Sequence, residues 1–143
     1  MRRLVATAAL CLVLSLPLTA QQAERPESGA RQRVHFEAVD IFIDCGEKHL
    51  AAYQFELKTV RGDVMIVGIE GGDHPAFRDP PYYDPAALRN DRVIVADFDT
   101  GGGLPTGRVR AARVHVRVRG KKEPRYKAVL ETAAGPGGHS IEA

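Results

Sequence analysis

The chain opens on an uninterrupted apolar run and then changes its pattern. Residues 4–18 carry no charge, Arg2 and Arg3 precede them, and Pro17 breaks the run just before the small Ala20. A positive, then apolar, then small-residue order predicts a secretory signal peptide over residues 1–20, cleaved after Ala20. The apolar stretch is about 15 residues, short of the roughly 20 a spanning helix needs, so the processed chain is not expected to span a membrane. Cys11 is no lipid acceptor, because Leu10 precedes it where a small residue is wanted. Residues 21–33 are polar, contain Pro26, Ser28 and Gly29, and show no periodicity, which predicts a disordered leader.

Residues 34–143 alternate apolar and polar positions with a period of two, punctuated by Gly, Pro and Asp. Val34, Phe36 and Ala38 share one face, then Val39, Ile41 and Ile43 take over, which suggests a bulge near Ala38 or two short strands. Ala51, Tyr53, Phe55 and Leu57 alternate with polar neighbours as a half-buried antiparallel strand does. Arg61-Gly62-Asp63 then turns the chain, and the pattern predicts a hairpin into residues 64–69. A long loop follows, in which Asp84 and Pro85 carry the N-cap and first-position chemistry of a single helical turn. Residues 92–99 form a further strand with Ile94, Ala96 and Phe98 expected inward. Residues 108–119 make the longest, with Ala112, Val114, Val116 and Val118 inward against Arg113, His115, Arg117 and Arg119. Tyr126, Ala128 and Leu130 begin another, and a short one is expected around residues 140–143. Seven or eight short strands with no helical period predict an all-β fold, an antiparallel β-sandwich.

Composition changes that picture little. Removing residues 1–20 removes two arginines and no acids, so the net charge of +2 falls to neutrality. No global field then favours nucleic acid. Of the two cysteines only Cys45 stays on the processed chain, so no internal disulfide is available to an exported domain. Cys45 reads as a small buried residue, with an intermolecular bridge or reactive thiol as the alternative.

Several segments are similar to cohesin domains. Residues 50–57 (LAAYQFEL) resemble an early cohesin strand, residues 64–72 (VMIVGIEGG) the next strand and its exit, and residues 92–98 (RVIVADF) a later one. Residues 107–118 and 138–143 resemble the long strand and the closing element. The resemblance implies a jelly-roll sandwich used for non-catalytic binding, in a wider superfamily that includes carbohydrate-binding modules. A protein partner in the cell envelope or outside the cell is then expected, with a polysaccharide as the alternative.

Motifs for catalysis are absent. Ser28 and Ser140 lie in no nucleophile elbow, Cys45 and His49 flank a turn without a third group, and the five histidines stand singly. The chain is therefore expected not to be an enzyme and to need no cofactor. Asp97 and Asp99 sit two apart at a strand end and are the candidate for a Ca²⁺ site, against a solvated strand end. The loop over residues 77–84 holds Phe77, Tyr82 and Tyr83, three of nine aromatics, which either stack on a ligand or plug the sandwich edge. Residues 108–127 carry nine basic residues and one acid, Glu123. Arg113, His115, Arg117 and Arg119 then make either a solvated row paired with internal acids, Glu56 or Glu131, or a basic face for an acidic partner.

Overall fold

A strand with one apolar face must bury it against another layer, because its side chains alternate between faces. The computed structural model describes residues 33–143 and meets that demand with two sheets. The expected signal over residues 1–20 and all but the last residue of the expected leader lie outside the described residues. The strands are β1 (Val34–Asp44), β2 (Ala52–Arg61), β3 (Asp63–Gly71), β4 (Tyr82–Tyr83), β5 (Arg92–Phe98), β6 (Arg108–Arg119) and β7 (Arg125–Ala134). One sheet runs β1-β6-β3 and the other β4-β5-β2-β7, and every pairing is antiparallel. The chain changes sheet at each connection except β4 to β5. This is the all-β antiparallel sandwich that the alternation predicts, wound between its two sheets. No helix among the described residues is long and apolar enough to cross a membrane.

The core follows from the alternation in β2 and β6. Tyr53, Phe55 and Leu57 on one side and Val114, Val116 and Val118 on the other are all buried. Cys45 and Leu50, just outside the strands, close one end of that core together with Ile141. Pro85–Ala87 is the expected single turn, a 3₁₀ helix whose cap Asp84 accepts from the Ala86 N–H at 2.9 Å.

Five local expectations are corrected. First, β1 has no change of phase near Ala38. Ile41 and Ile43 are buried, the same phase puts His35 and Glu37 inward, and Val34, Phe36 and Ala38 face out. The bulge lies opposite, in β6. Ala111 has no partner in either neighbouring strand, and the inward phase passes there from Val109 to Val114.

Second, β5 buries Val93 and Val95 and turns Ile94, Ala96 and Phe98 to the outside. Both phases of this strand are apolar, so its alternation carries no direction. Its pairing with β2, which sets Val95 against Phe55 and Val93 against Leu57, decides. Third, Gly62 does turn the chain, with φ +101°, but β2 and β3 belong to different sheets, so the turn is a crossing and not a hairpin. Fourth, residues 140–143 form no strand, only a single bridge from Ser140 to Ala134. Fifth, Ala128 of β7 is exposed, because β7 is an edge strand with one neighbour.

Candidate functional site

On the outer face of the β1-β6-β3 sheet, β6 presents its arginines between two unlike neighbours. Alternation forces Arg113, His115, Arg117 and Arg119 outward, because Val114, Val116 and Val118 are wholly buried. The register sets Arg119, Arg117, His115 and Arg113 against Val34, Phe36, Ala38 and Asp40 of β1. On the other side stand Asp63, Met65, Gly68 and Glu70 of β3.

Half of this row is neutralised within the sheet. Arg113 donates twice to the Asp40 carboxylate, at 2.7 and 2.9 Å, and Arg110 approaches it at 3.9 Å. That bidentate contact holds the Asp40 carboxyl below the usual carboxylate range. His115 Nε2 lies 2.9 Å from Glu70, an ionic distance without the alignment of a hydrogen bond. Arg108 stacks over the Phe42 ring at 4.6 Å. The acids named from sequence as internal partners are occupied on the other sheet. Glu56 accepts from Arg92, and Glu131 accepts from Gln54 at 2.5 Å.

The other half of the row stays open. Among the described residues no carboxylate lies within salt-bridge distance of Arg117 or Arg119. Phe36, beside Arg117, is 69% exposed, the most of any large apolar residue described. Val34 and Met65 complete the apolar border, and the exposed Lys121 and Lys122 follow in the turn beyond β6.

The aromatic loop divides differently. Phe77 is wholly buried and meets Tyr53 edge-to-face at 5.2 Å, so it belongs to the core and not to a binding surface. Gly72 makes this possible. Its N–H donates to the Phe77 carbonyl at 2.6 Å, and any side chain there would strike the Arg110 carbonyl. Tyr83 is half-buried against the core. Tyr82 alone stays open, and it stacks on Phe98 at 6.0 Å with the rings within 10° of parallel. Gln54, Asp97 and Thr132 line a shallow cavity beside this pair.

No family model, curated protein or solved structure matches this chain.

The remaining candidates carry little chemistry. Asp97 is partly buried, which raises its pKa, and its carboxylate accepts from the Phe98 N–H. Asp99 lies outside the strand and accepts from the Gly101 N–H at 2.5 Å. No group of three His, Cys, Asp or Glu among the described residues is placed to hold a metal ion. Burial pushes the Cys45 thiol up, and its sulfur lies 3.3 Å from the Gly107 carbonyl, whereas His49 faces the Leu104 carbonyl at 3.1 Å. A protonated, shielded thiol without a base is a structural residue. His35 Nε2 lies 2.7 Å from a Glu37 carboxylate oxygen, but ten residues, about 33 Å of extended chain, separate His35 from Cys45.

Phe36, Phe98, Asp40 and Glu70 are not among the site residues predicted from sequence, and the alternation predicts Phe98 inward, where β5 instead exposes it. Their roles depend on strand phase and on register between strands far apart in the chain, for which one sequence carries no signal.

Proposed function

We propose that the chain is an exported, non-catalytic binding module of cohesin-like type that takes an acidic protein partner on the outer face of β6. The observation that supports this most is the pair Arg117 and Arg119. Each is fixed outward by a buried valine, neither has a carboxylate within salt-bridge distance among the described residues although Asp63 is the register partner of Arg119, and Phe36 stands next to them exposed. Self-repulsion in such a row is relieved by an anionic ligand, and an exposed aromatic next to arginine is the usual anchor of a protein interface.

The test is retention on polyglutamate resin together with pull-down from envelope extract. Arg117→Glu with Arg119→Glu abolishes both and leaves the melting temperature within a few degrees, and added salt weakens binding by the parent chain. Unchanged retention in the double variant eliminates this face. Arg113 is a poor probe, because a glutamate there would confront Asp40.

One observation favours a second reading, a carbohydrate-binding module. The exposed Tyr82–Phe98 stack, with Gln54 and Thr132 beside it, offers a flat apolar platform with polar edges. Binding of neutral glycans on an array, lost in Tyr82→Ala and kept in the arginine double variant, would move the conclusion to this reading.

A further inference from the structure

The two outer edges of the β1-β6-β3 sheet are treated differently. The edge of β3 is covered. Arg89, held at φ +80°, donates to the Ile66 carbonyl, and the Ile66 N–H donates to Asn90, both at 2.8 Å. A register shift after Ile66 breaks that strand further. Among the described residues the edge of β1 has no such cover. Cys45 donates to Gly107 and Arg33 accepts from Gly120, so odd-numbered residues turn their backbone groups toward β6. Even-numbered residues, Val34 to Asp44, turn theirs to the open side, where no described backbone group meets them. Eleven residues without Pro, Gly or Lys form a long pairing edge.

We infer that β1 pairs edge-to-edge with β1 of a second copy, antiparallel about a two-fold axis at Val39. Three registers near the middle of the strand are available. An axis at Asp40 sets that carboxylate against its own copy, and an axis at Ala38 sets Phe36 against Asp40. An axis at Val39 sets Phe36 against Phe42 of the second copy, twice. Both rings lie on the outer face and both are exposed, and a cross-strand aromatic pair is a favourable contact.

Charge agrees with this choice. The first half of β1 carries Val34, Phe36 and Ala38 outward beside the open Arg117 and Arg119. The second half carries Asp40 and Asp44. Antiparallel pairing brings Asp44 of the second copy beside Val34, one strand from Arg119. His35 and Glu37, the inward polar residues of this edge, meet at 2.7 Å between Nε2 and Oε1. The product is a continuous six-stranded sheet with an isologous interface, which closes at two copies. Pairing takes up part of the Phe36 ring but leaves Arg117 and Arg119 on the face, so the inference does not depend on the ligand proposed above.

Sedimentation of the protein purified from cells that process it should show a dimer that dissociates on dilution. Ala38→Pro removes an N–H that faces the open edge and no bond within one copy, so it weakens association at least about tenfold, the bond being counted once per copy. Val39→Cys places two sulfurs on the axis, where opposed Cα atoms lie about 4.5 Å apart, and should give a disulfide-linked dimer on oxidation. Cys45, being buried, does not compete. A chain that stays monomeric at every concentration, an Ala38→Pro chain that dimerises as tightly as the parent, or a Val39→Cys chain that does not cross-link would each overturn the inference. If Ala38→Pro fails to fold, Val39→Cys decides alone.

Discussion

The two ends of the sandwich share the same strands and differ in what occupies their inward positions. At the end near the start of β2, Tyr53 stacks on Phe55 and meets Phe77 edge-to-face, and its hydroxyl donates at 2.9 Å to the Ala111 carbonyl in the opposite sheet. The bulge leaves that carbonyl without a strand partner, and a residue from the other layer supplies one. At the far end β1 brings His35 and Glu37 inward and β7 brings Tyr126. There the His35 Nδ1 and the Tyr126 hydroxyl are buried with no hydrogen-bond partner among the described residues. A buried polar group that is satisfied ties two sheets together, and one that is not subtracts from stability. Stability should therefore be unevenly distributed along the strands, and four substitutions test that difference.

The largest effect is expected at Phe77. Phe77→Ala opens a cavity beside Tyr53 and should cost about 3–5 kcal/mol in urea unfolding. A cost below about 1 kcal/mol would show that the loop over residues 73–81 contributes little to the core. Next comes Tyr53→Phe, which keeps the ring and strands the Ala111 carbonyl, for a loss of about 1–3 kcal/mol. Were the two ends equivalent, Tyr126→Phe would cost as much.

Instead, Tyr126→Phe removes a hydroxyl that has no hydrogen-bond partner among the described residues and should leave stability unchanged or raise it by at most about 1 kcal/mol. It also changes the alkaline limb. Burial, and then the Glu37 carboxylate, push the Tyr126 hydroxyl up to about 12, from an unfolded value near 10. The unfolded chain loses that proton first, so the contribution is intact below pH 10 and disappears as pH rises toward 12. Melting curves of the variant should fall less steeply across that window than those of the parent.

The smallest effect belongs to the surface. The Asp40 pKa is lowered by Arg113, so its contribution is present above the ordinary aspartate value and is lost as pH falls through the lowered one. Asp40→Asn should flatten the acid limb below about pH 4 only slightly, because the pair is solvent-exposed. Asp97, raised by burial, works in the opposite sense and is relieved as pH falls. A steep acid loss traced to Asp40 would mean that the outer face contributes more to stability than either end of the core.

Much of the fold was legible in residue order. The alternation in β2 and in the second half of β6 is unambiguous, because one phase is apolar and the other charged, and both strands bury the phase so marked. The same clarity placed Arg113, His115, Arg117 and Arg119 outward, and the 3₁₀ turn after Asp84 followed from its cap. Legibility failed where both phases are apolar, as in β5, or where the core ends before the strand does, as in β1.

Residue order was enough to predict a β-sandwich, the residues of β2 and β6 that fill it, and a row of arginines facing water. Tertiary structure alone decided which of those arginines are neutralised, that Phe77 lies in the core while Tyr82 stays outside, and where the bulge falls. The physical reason is one of range. Alternation is a property of neighbouring residues and is fixed by backbone geometry. Pairing between Asp40 and Arg113, or between Tyr53 and Ala111, is fixed by strand register and sheet packing between segments more than fifty residues apart.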